Sequence, residues 1–485
     1  MKNWNVRKII VPRDEMPQEH RLAPTLSWPH LIALGVGAIV GTGILTLTGV
    51  GAAKAGPAVI LSFAIAGVIC AAAALAYAEM ATMMPASGSA YTYSYVVMGE
   101  LIAWIVGWSL ILEYSLVVSA VAVGWAGYAS GFMISIGAPL PEVLTHGPTV
   151  AFTSSPFSLE IVEPGINLPA IFIIAVVGGM LLYGTRESAT VNAILVLVKI
   201  LALFVFVIVA LPYFNAANFE PFMPYGFGKS GAPGAEVGVM AAAAIIFFAF
   251  YGFDAIATAA EETKDPGRDL GIGIVGSMLL CVLIYLAVAG TAVGAISYLS
   301  FANSPEPLAL ILREIGRPWV AAYLAASAVI ALPTVILAFF YGQSRIFFVM
   351  ARDGLLPQKL ARVSGRGSPV RITIFTGIVV AILAGVVPLG QLAALANAGT
   401  LTAFIAVAVC MLILRRREPD AERLFRTPMP WFVGTVAILG CAYLFYNLPQ
   451  TTQIYFLIAH VVGLAIYLAY ASPRAEKARS DAAGA

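Results

Sequence analysis

The chain has 485 residues, of which 60% are hydrophobic and only 11% are charged, and its formal net charge is +2. Soluble globular domains carry about 25% charged residues, so this composition excludes an ordinary water-soluble protein. A charge so close to neutral gives no indication of a nucleic acid partner.

Apolar residues occur along the whole chain in blocks of about twenty, the length that a helix needs to cross a bilayer. The blocks are continuous and lack the period-two alternation of membrane β-barrels. We therefore predict an all-α polytopic membrane protein. Its twelve transmembrane helices are expected near residues 31–52, 58–84, 100–133, 168–184, 188–211, 236–260, 271–296, 318–349, 372–387, 391–414, 430–448 and 453–471.

Lysine and arginine concentrate in alternate connecting segments. If the N-terminus is cytoplasmic, the inward-facing tails and loops hold 22 of the 27 cationic residues, and the outward-facing loops hold only four. Cationic loops stay on the cytoplasmic side, so both termini are predicted to be cytoplasmic. The frequent alanine, glycine and arginine favour a bacterial inner membrane.

The apolar blocks leave room for short tails and loops only. We expect a cytoplasmic tail over residues 1–27, a ten-helix core over 28–415, two further helices over 416–471 and a second cytoplasmic tail over 472–485. All four cysteines lie inside apolar blocks and the four histidines are scattered, so we predict no disulfide, metal site or bound cofactor.

Two segments contain glycines that interrupt the helical pattern. The first reads GVGAIVGTG over residues 35–43, and the sixth reads FFAFYGFD over 247–254. Each glycine weakens a helix by about 1 kcal/mol relative to alanine. Breaks in the first and sixth segments predict two five-helix halves of inverted topology, roughly 28–211 and 236–415. The alternative is close helix packing through glycines spaced four residues apart, which leaves the matching second break unexplained.

An interrupted membrane helix exposes backbone groups that need a ligand, water or protein partner. The Gly41-Thr42-Gly43 stretch begins a half-helix, where free amides and the helix dipole favour a carboxylate. The carbonyls at the second break suit an ammonium group, and they belong to Phe248, Ala249 and Tyr251. A ligand with both groups on one carbon is an α-amino acid.

Lys199 lies near the middle of the otherwise uncharged run Ala189–Leu211. It is roughly 16 Å from either end, too far for its side chain to reach water comfortably. A buried ionisable residue in a membrane is a functional hypothesis by default. Burial favours the neutral amine, so we expect Lys199 to exchange protons and the proton to be the coupling ion. The alternative is a structural lysine that bonds to carbonyls and never titrates.

Two other carboxylates near the breaks and helix ends have local interpretations. Asp254 directly follows the second break and is expected to cap it. Glu79 lies near the inner end of the second segment and is expected to be a structural or gate residue rather than a ligand.

Six stretches carry a family resemblance: GVGAIVGTGI (35–44), YAEMATMMPASGSAYTYSY (77–95), ELIAWIVGWSLILEYSLVVSAVAVGW (100–125), NAILVLVKI (192–200), FFAFYGFDAIATAAEETKDPGRDLGIGI (247–274) and YGQSRIFFVMARDGLLP (341–357). Together they resemble the amino acid–polyamine–organocation (APC) superfamily of transporters. The resemblance is strongest to its cationic amino acid transporter branch and the bacterial proton-coupled relatives of that branch. The last two predicted helices resemble the family only in hydropathy.

The resemblance implies a LeuT-type fold, in which a bundle of the first, second, sixth and seventh helices moves against a scaffold. It implies that the substrate carboxylate meets Ile39, Thr42 and Gly43, and that the substrate amino group meets the carbonyls at the second break. Phe253 is then the aromatic gate over the site.

The same resemblance places Lys199 where sodium-coupled relatives hold an ion. Its ammonium is then expected to bridge the first segment near Gly37 to the eighth segment near Thr334. Glu113, deep in the third segment, is expected to face the binding region, or else to be a protonated packing residue.

Alignment of the YGQSR stretch puts Phe339 at the floor of the side-chain pocket. Apart from Glu113, no carboxylate is placed to receive a guanidinium group. We therefore predict proton-coupled uptake of small or mid-sized neutral L-amino acids such as alanine, by alternating access. A cationic amino acid transporter and an amino acid–amine exchanger of the same fold are the alternatives.

Other classes of function have weaker support. An enzyme is not expected, because the sequence shows no Ser/His/Asp set and no metal cluster, and GVGAIVGTG lacks the strand that precedes a dinucleotide-binding loop. A transporter-like sensor would need a signalling domain. The expected partners are an L-amino acid and the lipid bilayer, and a small single-helix membrane subunit is left open.

Overall fold

The computed structural model describes residues 6–7, 26–84, 88–152, 159–183, 189–258, 263–302, 304–357 and 370–474, so most of both predicted tails lies outside it. Within these ranges one antiparallel hairpin forms from β1 (Thr149–Phe152) and β2 (Leu159–Glu163). The helices are α1 (Trp28–Ile39), α2 (Thr42–Leu45), α3 (Leu47–Ala55), α4 (Val59–Met83), α5 (Ser89–Val97), α6 (Glu100–Ser135), α7 (Leu168–Tyr183), α8 (Ala189–Ala210), α9 (Val239–Ile246), α10 (Asp254–Thr258), α11 (Pro266–Ala295), α12 (Tyr298–Phe301), α13 (Pro307–Glu314), α14 (Pro318–Arg352), α15 (Val370–Val386), α16 (Leu389–Arg417), α17 (Pro430–Asn447) and α18 (Gln450–Ile466).

Every predicted apolar block overlaps helix in the structure. In the described ranges, eight helical stretches are long and apolar enough to cross a membrane, and four apolar helices are shorter. Two of the shorter ones, Trp28–Ile39 and Val239–Ala249, are halves of interrupted segments, which explains their length. The chain is therefore a polytopic helical membrane protein.

The structure interrupts the first and sixth apolar segments where the sequence predicts. After α1, Val40 is extended, with φ −74° and ψ 95°, and α2 begins two residues later. After α9, one 3₁₀ turn covers Phe247–Ala249, and helix resumes only at α10. Gly252 in this second break has φ +120°, a conformation that glycine adopts without strain.

The long helix α6 lies at the centre of the molecule and packs extensively against α14 and α16. The last two helices are bonded to this centre rather than peripheral to it. The indoles of Trp104 and Trp108 on α6 donate to the carbonyls of Gly463 and Ala459 on α18, both at 2.9 Å. The other helix of this pair, α17, packs against α4 and α16.

Glu79 near the end of α4 makes the contacts of a structural carboxylate. It is 1% exposed and accepts hydrogen bonds from the Arg415 and Arg423 guanidinium groups at 2.7 and 3.2 Å and from the Thr427 amide at 2.8 Å. Two cationic partners offset the cost of burying the carboxylate. The network ties α4 to the end of α16 and to the loop before α17.

Candidate functional site

The two interruptions lie against each other. A Cβ built on Gly43 would lie 2.3 Å from the Cα atom of Ala249, and one built on Gly252 would lie 2.9 Å from the carbonyl carbon of Ala38. No side chain fits into either space, so glycine at both positions lets the two breaks meet backbone to backbone. The structure thus brings together the peptide groups that the sequence assigns to one ligand.

A small cavity lies beside this crossing. Its volume is about 10 Å³, which is room for a single water molecule. The two breaks contribute Ala38, Ile39, Gly41, Thr42, Gly43, Phe248 and Tyr251, and the central helices contribute Val117, Val121, Val335 and Phe339. Apart from the Thr42 and Tyr251 hydroxyls, the lining side chains are apolar.

Most of the predicted ligand-contacting residues line this cavity, Phe339 among them. Ala249 lies behind the wall, against Gly43. The three valines from α6 and α14 were not predicted from the sequence. Both helices are apolar on nearly all faces, so the pattern does not reveal which face meets the site.

At the first break, hydroxyl groups from neighbouring helices satisfy exposed carbonyls. The Tyr285 hydroxyl on α11 donates to the Ile39 carbonyl at 2.8 Å, and the Tyr128 hydroxyl on α6 donates to the Leu45 carbonyl at 2.7 Å. The Thr42 hydroxyl donates to the Val121 carbonyl at 3.4 Å. The first amides of α2 have no acceptor within their own helix, because a helix leaves its first N–H groups unpaired.

Before the second break, a side-chain amide donates hydrogen bonds to the carbonyls at the end of α9. Asn397 on α16 donates from Nδ2 to the carbonyls of Ala244 and Ile245 at 2.7 and 2.9 Å. Among the described residues, no hydrogen bond from outside their own segment reaches the carbonyls predicted to receive an ammonium group. These carbonyls therefore remain available as acceptors.

Asp254 caps the second break, as predicted. Its Oδ1 accepts a hydrogen bond from the Gly252 amide at 3.1 Å, and its Oδ2 accepts one from the Tyr114 hydroxyl at 3.2 Å. The carboxylate is 3% exposed. It fixes the start of α10 and links it to α6.

Lys199 on α8 is 4% exposed, and its Nζ donates to the Gly37 carbonyl on α1 at 3.0 Å. The contact with the first segment lies where the sequence predicts it. The Thr334 hydroxyl, the predicted partner on the other side, donates to the Ala331 carbonyl of its own helix at 2.7 Å. The cation is attached to the last turns of the half-helix that precedes the first break, and its contact with Thr334 stays a prediction.

Two predicted site residues lie away from the cavity wall. Glu113 is 1% exposed, and neither carboxylate oxygen has a hydrogen-bond partner among the described residues, although Thr400 lies close by. Phe253 packs its ring against Tyr77 and Phe404, with centroid distances of 5.6 and 5.1 Å. Their roles as substrate contact and gate remain predictions.

The anchors Asn397 and Tyr285 were missed by the sequence analysis. Each is a polar side chain inside a predominantly apolar helix, and a polar group in a membrane span needs a partner. Both polar residues can therefore be recognised in the sequence as groups that need a partner. They could not be assigned to the breaks, because the partners lie 153 and 246 residues away along the chain.

Two crossed helix breaks, an apolar cavity and a buried lysine define a class: membrane transporters that bind a small ligand at mid-bilayer depth. A model of the amino acid permease family matches residues 26–468. The chain belongs to the amino acid permease family.

Relatives within the family carry different substrate names. The branched-chain amino acid permease BcaP of Bacillus subtilis (strain 168) is 44% identical over 441 residues, which cover 91% of each chain. The methylthioribose transporter of the same organism is 39% identical over 93% of this chain and 94% of its own. The vacuolar cationic amino acid transporter 4 of Arabidopsis thaliana is 38% identical over 84% of this chain and 65% of its own.

Proposed function

We propose that this permease imports branched-chain and other mid-sized neutral L-amino acids together with protons, by alternating access, across a bacterial inner membrane. The single observation that carries the proposal is the crossing of the two breaks beside an apolar cavity. The α2 amides would receive the substrate carboxylate. The carbonyls of Phe248, Ala249 and Tyr251 would receive its ammonium group.

The lining of the cavity supports an aliphatic side chain as the preferred substrate group. Val117, Val121 and Val335 contribute methyl groups to the wall, and Phe339 contributes an aromatic ring. The wall carries no carboxylate within the described residues that would pair with a guanidinium group. The name of the Bacillus subtilis relative BcaP, a branched-chain amino acid permease, agrees with this preference.

Proton coupling would reside in Lys199. Charged, its ammonium makes a charge-assisted bond to the Gly37 carbonyl; neutral, it loses most of that attraction. Because the cavity is smaller than an amino acid, binding requires the lining elements to separate. We propose twelve spans in a 5+5 inverted repeat plus two helices, with both termini cytoplasmic, as the frame for that movement.

Uptake of radiolabelled L-leucine into proteoliposomes with an inward proton gradient tests the proposal. We expect valine and isoleucine to compete strongly, alanine to compete more weakly, and arginine and methylthioribose to compete little. Protein-free liposomes are the control for leak. Arginine or methylthioribose outcompeting leucine would refute the substrate assignment, and uptake that needs internal amino acid would indicate exchange instead.

A further inference from the structure

The Asn397 side chain is hydrogen-bonded to the end of α9, just before the second break. It is completely buried. Its amide nitrogen donates hydrogen bonds to two successive carbonyls of α9, those of Ala244 and Ile245. Its Oδ1 atom has no hydrogen-bond partner among the described residues. An unpaired buried carbonyl oxygen is costly, so an apolar residue would serve better here unless the two donated bonds matter.

The two carbonyls lie at the end of α9, where the α-helical hydrogen-bond pattern stops, and the Ile245 carbonyl keeps only a contact from the nearby Phe247 amide. In a continuous α-helix, Ala244 and Ile245 would accept from the amides of Phe248 and Ala249, four residues on. The chain instead narrows into a 3₁₀ turn at Phe247–Ala249, in which hydrogen bonds span three residues. Asn397 therefore supplies the donors that the break removes.

The position of the amide links it to the proposed ligand groups. Its two acceptors lie only a few residues before the carbonyls of Phe248 and Ala249, and Ala249 is held against Gly43 of the first break. A rigid end of α9 fixes where those carbonyls point. Because an amide does not titrate, its two hydrogen bonds to α9 do not depend on pH in the physiological range.

We propose that Asn397 is a positioning residue that fixes the second break in the geometry that binds the substrate ammonium group. This inference rests on the proposed function. It assigns Asn397 no contact with the substrate, because Asn397 is absent from the cavity wall.

The test compares leucine transport kinetics of Asn397→Leu, which keeps a similar volume but donates nothing, with those of the unmodified protein. We expect the KM for L-leucine to rise roughly tenfold, as the loss of two hydrogen bonds implies, with Vmax per folded transporter within about twofold. A purely structural role would lower the amount of folded protein and leave KM unchanged.

Asn447→Leu is the matched control, because Asn447 is 2% exposed and, among the described residues, donates to the Tyr443 carbonyl of its own helix alone, at 2.8 Å. Its KM should stay within about twofold of the unmodified value. Asn397→Ser, which keeps one donor, should give an intermediate KM and serves if the leucine variant does not fold.

Three results overturn the inference. An unchanged KM in folded Asn397 variants refutes the positioning role and leaves the proposed function standing. Failure of both Asn397 variants to fold while Asn447→Leu folds assigns the residue to stability alone. Absence of any L-amino acid uptake by the unmodified protein refutes the proposed function, and the inference with it.

Discussion

The two broken segments obtain their hydrogen-bond partners from different kinds of side chain. Next to the first break, the Gly37 carbonyl accepts from a lysine ammonium, and the Ile39 carbonyl accepts from a tyrosine hydroxyl. Before the second break, the carbonyls of Ala244 and Ile245 accept from an uncharged amide. A lysine can release its proton, whereas an asparagine amide cannot.

This difference separates two tasks that one site must perform. We propose that the second break keeps a fixed geometry for the substrate ammonium group, which is common to all amino acids. The half-helix before the first break is bonded to a lysine whose charge depends on protonation, so we propose that loss of the proton from Lys199 would release α1. We infer that proton coupling acts through α1, before the first break, whereas the α2 amides and the second break recognise the substrate.

Removal of the charged donor should have the largest effect. In Lys199→Met the Gly37 carbonyl loses its charge-assisted bond, and we expect leucine uptake to fall about a hundredfold. The residual uptake should no longer respond to a proton gradient. Both quantities are measured in proteoliposomes with and without an imposed gradient.

Lys229→Met provides the control for removing a lysine that also donates to backbone carbonyls. Lys229 lies in the loop before α9 and donates to the Tyr446 and Leu448 carbonyls at the end of α17, at 2.7 and 3.0 Å. Its variant should retain uptake and gradient dependence. If Lys199→Met keeps the full response to the gradient, the lysine is structural and the division of tasks fails.

The contact between the breaks can be tested with one methyl group. In Gly43→Ala the new Cβ would lie 2.3 Å from the Cα atom of Ala249, so the backbones must separate. Overpacking of this kind costs about 2 kcal/mol, and we expect transport to fall roughly thirtyfold. In Gly290→Ala, on α11 and absent from the cavity wall, the nearest atom is the Ile60 Cδ1 at 3.8 Å, an ordinary contact. This variant should stay within about threefold, and equal losses in both would contradict backbone contact between the breaks.

The size of the side-chain pocket should depend on Phe339. Its ring lines the cavity and packs on Tyr114 at a centroid distance of 5.4 Å. In Phe339→Ser we expect L-phenylalanine to compete with leucine about tenfold better, because the pocket gains room for a larger side chain. The neighbouring Phe340 faces Gly178 and Gly377 instead, so Phe340→Ser should not broaden the substrate range. Competition curves of L-phenylalanine against radiolabelled L-leucine, measured for both variants, test this prediction.

The smallest effect is expected at the neutral donor of the first break. Tyr285→Phe removes the hydroxyl that donates to the Ile39 carbonyl, worth about 1 kcal/mol, and should raise the KM for leucine about fivefold. Tyr93→Phe is the control, because the Tyr93 hydroxyl has no partner within the described residues. A larger effect at Tyr93 would show that the Ile39 bond is not what matters.

Much of the fold was readable from the sequence, because membrane spans follow from the length of apolar runs. The breaks could be predicted too, because the first and sixth apolar runs both carry glycine where the helix would otherwise continue. Short elements in the loops, such as α5, α13 and the β1–β2 hairpin, were not predicted. Their stability depends on neighbours in space rather than on local pattern.

The backbone groups of the candidate site were predicted more completely than the side chains that surround them. The residues of the two breaks and Phe339 were named, and the contact between Lys199 and Gly37 was expected. The valines of α6 and α14 and the anchor Asn397 were not. Their contribution depends on helix rotation and tertiary contact, which a uniformly apolar sequence does not encode.

Leucine uptake and the pH of the lumen, recorded together in proteoliposomes that contain a trapped pH dye and no sodium gradient, test whether protons and substrate move together through the unmodified protein. We expect external leucine to acidify the lumen in proportion to the leucine taken up, and Lys199→Met to abolish that acidification. Leucine accumulation without any acidification would show that the buried lysine does not couple protons to transport.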